Sequence, residues 1–195
     1  PSSVPKYPSQ QFHRLADALD PLNDEIADWG TWALMMGGDI EAAKTWSDGK
    51  IKLHPHNPYL YVGAAIAHYI DGNFAESIRL ATKSVALSQR ESFPLIVLAQ
   101  SYAAAGKFDA VRPLINEAQA NPQYMCPYET AVVYLLLDDK DKAFELFNLA
   151  VEYQSNCLIF TRNDPRLEPI RNDARYVELL EKIGLGDDVI ERHPK

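Results

Sequence analysis

The sequence has little cysteine, no long apolar run and fewer basic than acidic residues. Its 195 residues include two cysteines, and 19 lysines and arginines stand against 27 aspartates and glutamates, for a formal net charge of −8. Two cysteines exclude a disulfide-rich scaffold, and the acidic balance argues against direct binding to nucleic-acid phosphates. The longest apolar run, residues 131–137, is far shorter than the roughly 20 residues of a membrane-spanning helix, so we expect no membrane insertion.

Motifs that would carry catalysis or hold a cofactor are also missing. The sequence contains no G-x-S-x-G nucleophile turn, no phosphate-binding glycine loop and no H-E-x-x-H zinc motif. His54 and His56 flank a proline without a third metal ligand at helical spacing, and Cys126 has no obvious base beside it. We therefore expect no enzyme activity, no cofactor and no metal site.

A repeated turn organises most of the chain. Gly38, Gly72 and Gly106 are each 34 residues apart in similar surroundings, and Asp138 begins a fourth copy 32 residues later. Residues on both sides of each turn have helical apolar spacing, and glycine suits a helix that ends in a left-handed residue. In the third copy, Pro113 predicts a second helix that starts late or is kinked. The pattern predicts an all-α fold with four helix–turn–helix pairs, over residues 24–57, 58–91, 92–123 and 124–157.

These four pairs resemble tetratricopeptide repeats, whose pattern is W-x2-L-G-x2-Y, followed by A-x3-F and then P. The resemblance covers about 135 residues. It implies a right-handed superhelix of stacked helix pairs over residues 21–157, with a tether and N-terminal cap helix over 1–20 and a C-terminal helical cap over 158–195. The third pair matches the pattern best, at Leu95, Leu98, Ala99, Tyr102, Gly106, Phe108, Val111, Ile115 and Ala118.

The C-terminal stretch carries a second resemblance. Residues 163–185 are similar to the D-P-R-F-x-P-L-R-x-D-P-R-F-x-x-L-L-x-x-x-G-L ending of many bacterial repeat domains, with Leu167 in place of Phe and Ala174 in place of Pro. Such domains occur in CadC-like winged-helix transcription regulators and in some nucleotide cyclases. Arginines and acids alternate here, which is typical of a solvated, locally paired surface, and Asp164 and Asp173 are expected to cap helices.

The tetratricopeptide resemblance implies that the first helix of each pair lines the concave face of the superhelix. An exposed apolar patch marks a partner or ligand site. The alternative is that residues 1–20 or 158–195 fill the groove, so that its residues are ordinary core. Glu25 and Asp28 at the groove mouth favour a basic or neutral ligand. The candidate partner-binding residues of this face are Trp32, Met35, Met36, Tyr59, Val62, Ile66, Tyr69, Phe93 and Ile96.

The two cysteines flank the fourth helix pair. Cys126 precedes its first helix and Cys157 follows its second, so the antiparallel arrangement brings them to the same end of the pair. A disulfide there would close a loop of about thirty residues and would form in an oxidising compartment. The alternative is that both are unrelated small apolar residues.

Together these features predict a non-catalytic protein-interaction or sensing domain of a bacterial transcription regulator. Its partner would be a protein or peptide segment, or a small apolar ligand, on the concave face. Two alternatives stay open: a structural scaffold or homo-oligomerisation module, with a homodimer as its simplest form, and an accessory repeat domain of a nucleotide cyclase. The compartment is periplasmic if the parent is a membrane-anchored regulator and cytoplasmic otherwise.

Overall fold

A computed structural model describes residues 15–121 and 126–186. The predicted tether over residues 1–10 lies outside these ranges, as do residues 11–14 of the predicted cap helix. Eight α-helices form four consecutive antiparallel pairs, followed by two short 3-10 helices and a ninth α-helix, with no strand in the described residues. From residue 24 onwards the α-helices are, in chain order, α1 Asp24–Met36, α2 Ile40–Leu53, α3 Pro58–Ile70, α4 Phe74–Leu87, α5 Ser92–Ala104, α6 Val111–Ala120, α7 Pro127–Leu136, α8 Lys140–Glu152 and α9 Ala174–Lys182.

Each pair turns through the same backbone motif. In the first turn the amide of Gly38 donates to the Met35 carbonyl and that of Asp39 donates to the Leu34 carbonyl, and the other three turns repeat this two-bond pattern. The turn residue is left-handed in all four copies: the three glycines have φ between 70° and 80°, and Asp138 has φ 60°. The predicted left-handed ends are therefore confirmed, and the fourth copy achieves one without glycine.

The helix that follows a turn begins at a side-chain cap in three of the four pairs. The carboxylate of Asp39 accepts from the Ala42 amide at 3.0 Å, and Asn73 and Asp139 occupy the equivalent positions. In the third pair Lys107 offers no such acceptor, and a 3-10 turn over Phe108–Ala110 precedes α6. The late helix start predicted from Pro113 is confirmed.

The first helices of successive pairs pack against one another, α1 on α3, α3 on α5 and α5 on α7, and form a continuous inner layer. Small residues near the start of each second helix are fully buried, among them Ala43, Ser77 and Ala143, and let the paired helices approach closely. Two apolar clusters result. One runs through the first three pairs, and the other joins the fourth pair to the C-terminal segment.

The C-terminal segment comprises the 3-10 helices Asn156–Phe160 and Pro165–Ile170 and helix α9. As predicted, Asp164 and Asp173 cap their helices, through the amides of Arg166 and Arg175. Helix α9 packs on α8, and both 3-10 helices contact α7. This segment therefore lies against the last pair and also against the inner layer.

At the other end of the array, residues 15–19 are helical. Asp17 forms an ion pair with the largely buried Lys50 of α2, while Leu15 and Leu19 are exposed. The described part of this short helix is thus anchored to α2 by an ion pair. Within the described ranges, no helix is both long and apolar enough to cross a bilayer.

Candidate functional site

The C-terminal segment crosses the concave face and reaches the first helix pair. The ring of Phe160 stacks on that of Trp32 in α1, with centroids 5.6 Å apart and an interplanar angle of 12°, and its centroid is 6.0 Å from that of Trp29. A side chain that follows the fourth pair therefore packs on the first. This contact joins the two ends of the array through its interior.

A buried arginine sits at the centre of that interior. The side chain of Arg166 is 1% exposed, and those of its two carboxylate partners, Glu129 and Asp164, are 2% and 0% exposed. Its terminal nitrogens donate to both Glu129 oxygens, at 2.6 and 3.0 Å, and to Asp164 Oδ2 at 2.6 Å. The guanidinium carbon also lies 5.6 Å from the ring centroid of Trp32 and 6.0 Å from that of Tyr128.

Neighbouring polar groups complete this cluster. Gln100 of α5 donates to Glu129 Oε2 at 2.7 Å, and the Tyr128 hydroxyl donates to Asp164 Oδ2 at 2.9 Å. Burial opposes the charge on Arg166, but Asp164 and Glu129 outweigh it and hold the arginine pKa well above its usual value. Burial, together with the Asp164 charge, raises the pKa of Tyr128. The arginine is thus permanently charged and links α1, α5, α7 and the C-terminal segment.

Beside this cluster, part of the concave face stays open as a cavity of about 370 Å³. Five aromatic rings line it: Trp29 and Trp32 from α1, Tyr59 from α3, Phe93 from α5, and Phe160. Trp29 and Tyr59 are the most exposed of these, at 41% and 39%. The rings of Tyr59 and Phe93 stack with centroids 6.4 Å apart. The cavity therefore offers aromatic surface contributed by three inner helices and the C-terminal segment.

Three carboxyl groups also line the cavity, those of Asp28, Glu91 and Glu129. Burial raises the pKa of Asp28 to about 7, although a hydrogen bond with Trp32 opposes the shift. Its Oδ1 atom is buried and has no hydrogen-bond partner among the described residues. Glu91 accepts a hydrogen bond from the Tyr59 hydroxyl at 2.8 Å, and burial together with this bond raises the pKa of Tyr59 to about 12.

The two cysteines form another part of the cavity wall. The Sγ atoms of Cys126 and Cys157 are 3.0 Å apart as free thiols. The hydrogen bond between them lowers the pKa of Cys126 and raises that of Cys157. The two ends of the fourth pair are therefore adjacent, and the disulfide stays a prediction. In the part of the chain that the structure describes, no group of three or more His, Cys, Asp or Glu side chains is placed to hold a metal ion.

This architecture occurs in a solved structure. YrrB, described as a TPR protein with an unusual peptide-binding site, matches the chain with a TM-score of 0.51 at 13% sequence identity, over 95% of this chain and 94% of YrrB. The fold is tetratricopeptide-like. No family model and no curated protein matches the sequence.

The structure places the nine candidate residues of the tetratricopeptide-like concave face in different surroundings. Trp32, Tyr59 and Phe93 meet at the cavity, together with the C-terminal segment. Met36 is half-buried beside the apolar core, and Tyr69 is buried next to Arg166. The others are buried core residues, namely Met35, Val62, Ile66 and Ile96. The face is therefore not one continuous exposed patch, since helix packing and the C-terminal segment cover most of it.

Sequence reasoning missed Arg166 as the centre of the site. The alternating charges predict a solvated surface, and for Arg166 this is wrong, because its partners lie inside the array. One signal was available: Glu129 is the only charged residue of α7, on a helix that is otherwise largely apolar. A buried carboxylate needs a partner, and Gln100 on the neighbouring inner helix also lies at a concave position.

Proposed function

We propose that this chain is a non-catalytic interaction and sensing domain that holds a peptide segment at the aromatic cavity of its concave face. The observation that carries the proposal is that the C-terminal segment leaves a cavity open on the inner layer, where Trp29, Tyr59 and Phe93 remain partly accessible. Accessible aromatic surface in a concave site is typical of binding sites. YrrB, with the same kind of fold, is described as having a peptide-binding site, and this comes to the present chain as part of the proposal.

Sensing would follow from the way in which the cavity is built. A ligand in the cavity contacts Trp29 of the first helix pair and Phe160 of the C-terminal segment at the same time. A ligand that binds both side chains would stabilise the arrangement in which they lie close together. It would therefore favour one placement of the C-terminal segment relative to the array. The similarity of residues 163–185 to the ending of bacterial regulator domains supports the proposal that this domain belongs to a transcription regulator. The full reading frame of the gene tests this proposal, because such a regulator would also encode a winged-helix segment.

Selection from a displayed peptide library tests the binding function. We expect enriched peptides that bind the wild-type chain and lose at least about tenfold in affinity to the Trp29→Ala variant, since aromatic anchors dominate such sites. Tyr153→Ala is the matched control, because Tyr153 is 61% exposed and lies outside the cavity. Enriched peptides that bind both variants as well as wild type would overturn the proposal.

Self-association is the outcome that would favour a scaffold instead. Sedimentation velocity at micromolar concentration measures it directly. A dimer that dissociates in the Trp29→Ala variant and persists in the Tyr153→Ala variant would show that the cavity face is covered by a second copy, and would overturn peptide capture at this site. A monomer in all three proteins supports the interaction function.

A further inference from the structure

We propose that the group held in the cavity is an alkylammonium cation, as carried by a lysine side chain or a free amine. This inference rests on the proposed function and names the chemistry that the same site would recognise. It depends on three independent features of the cavity: its aromatic rings, the sign of its charges and one unsatisfied carboxylate oxygen.

The aromatic rings supply the first reason. The face of an aromatic ring attracts a cation within about 6 Å of its centroid, and indole does so best. The chain already uses this interaction at the wall of the cavity, because the guanidinium of Arg166 lies 5.6 Å from the centroid of Trp32. Trp29 and Tyr59 are the most exposed rings of the cavity, at 41% and 39%, so a cation from outside would meet these rings first.

The charges supply the second reason. Among the described residues that line the cavity there are three carboxyls and no lysine, arginine or histidine. Arg166, which pairs with Glu129 of the wall, is shared between Glu129 and Asp164, so the wall and this ion cluster together carry an excess of negative charge. Helices α3, α5 and α7 begin beside the cavity, and their N-termini carry partial positive charges of roughly half a unit each. The carboxylates outweigh these partial charges, and an anionic ligand would be repelled.

The unsatisfied oxygen supplies the third reason. Asp28 Oδ1 is buried without a hydrogen-bond partner among the described residues, and a buried acceptor left unpaired costs free energy. A neutral apolar ligand would exclude water from this oxygen and give it no hydrogen-bond donor, so the free-energy cost of the unpaired acceptor would remain. In the ionised form of Asp28, which predominates above about pH 7, this oxygen can accept a charge-assisted hydrogen bond from an ammonium N–H. A cation therefore completes the cavity better than a neutral ligand does.

The size of the cavity limits the ligand group to a single side chain or a small molecule. Its volume of about 370 Å³ lies near the lower end of the roughly 300–1,000 Å³ of small-molecule sites. A whole helix does not fit this volume. A butylammonium chain does, and it is the side chain of lysine.

The test compares a capped Gly-Lys-Gly peptide with the capped Gly-norleucine-Gly peptide, which lacks only the amino group, and adds n-butylammonium chloride as the free amine. Binding is followed by chemical-shift changes of the tryptophan indole groups. We expect the lysine peptide to bind about tenfold more tightly than the norleucine peptide, as a charge-assisted hydrogen bond implies. Equal binding of the two peptides would overturn the inference while leaving peptide capture at an apolar cavity standing. If butylammonium binds as tightly as the lysine peptide, the ammonium group is confirmed and the source is a free amine.

Two matched variants tie the effect to the cavity. Asp28→Asn should weaken lysine-peptide binding about tenfold and leave norleucine-peptide binding unchanged. Asp48→Asn makes the same chemical change at an exposed residue outside the cavity, and it should change neither affinity by more than about twofold. An equal loss in both variants would show that only the overall negative charge attracts the peptide, and would overturn the site. Thermal unfolding of each variant verifies that it is folded.

Discussion

Arg166 and Glu129 form a two-pronged ion pair inside the array, with both side chains almost completely removed from solvent. The two residues are 37 positions apart, one in the C-terminal segment and one on the inner helix α7. Because Asp164 holds the same guanidinium from its own segment, the ion cluster attaches that segment to the concave face. The aromatic cavity exists next to this attachment.

Removal of the arginine should be strongly destabilising. Arg166→Met leaves Glu129 and Asp164 buried without a cation, and breaking a buried pair from one side costs about 3–5 kcal/mol of unfolding free energy. Urea denaturation measures it. Arg79→Met is the control, because Arg79 pairs with Glu76 at the surface and should cost less than about 1 kcal/mol. A loss of equal size in both variants would contradict a buried network.

The stack between Phe160 and Trp32 should hold the C-terminal segment on the first pair. Phe160 is half-buried, so Phe160→Ala should cost about 1–2 kcal/mol, less than the 3–5 kcal/mol of a fully buried phenylalanine. The tryptophan emission of the folded protein should also change, since the ring lies against Trp29 and Trp32. Ile159→Ala changes a neighbouring side chain that is 61% exposed, and it should change neither the stability nor the tryptophan emission. An unchanged emission spectrum in Phe160→Ala would argue that the stack does not form.

Stability should fall as the pH rises through the range in which Asp28 titrates. Burial raises the Asp28 pKa from 3.8 to about 7, so between these values the folded chain keeps a proton that the unfolded chain has released. The destabilising effect of the ionised Asp28 carboxylate is absent below about pH 4 and complete above about pH 7. Asp28→Asn should therefore match wild type near pH 4 and exceed it by roughly 1–3 kcal/mol at pH 8. Melting temperatures across this range measure the difference, and a constant offset at all pH values would contradict it.

Cys126 and Cys157 should form a disulfide under oxidising conditions. Their Sγ atoms are already in contact, and closing a loop of 31 residues is worth about 3–4 kcal/mol in the chain-entropy model. Oxidised glutathione should abolish the titratable thiols of the folded protein and raise its unfolding free energy. In Cys157→Ser the same treatment should leave stability unchanged. Two thiols that still titrate after oxidation would refute the disulfide.

Glycine at position 138, in the fourth turn, should stabilise the folded protein. Asp138 occupies a left-handed conformation, φ 60°, that the other turns give to glycine. Asp138→Gly should raise the unfolding free energy by about 0.5–1 kcal/mol, because left-handed backbone is costly for residues with a Cβ. The reverse change, Gly72→Asp, should lower it by a similar amount. Chemical denaturation of both variants is the measurement, and shifts of the same sign would contradict the explanation.

The hairpins were predictable from sequence because every interaction that defines them is local. The left-handed residue, its two backbone hydrogen bonds and the following cap all lie within one short stretch, Leu34 to Ala42 in the first turn. The spacing of Gly38, Gly72 and Gly106 therefore predicted the turns and the all-helical fold. The same reasoning predicted the caps at Asp164 and Asp173, whose partners are two residues away.

The binding cavity was not predictable in this way. The contacts of Arg166 with Glu129 and Gln100 span 37 and 66 positions, and those of Phe160 reach back to α1. Alternating charges look the same along the chain whether the segment lies in water or across a groove, so nothing local distinguishes Arg166 from Arg175, whose side chain is 41% exposed. Burial is a property of what packs on a residue from elsewhere in the chain. Packing of the helices and of the C-terminal segment buries most of the predicted apolar face in the core. The rest of that face forms the acidic, aromatic cavity.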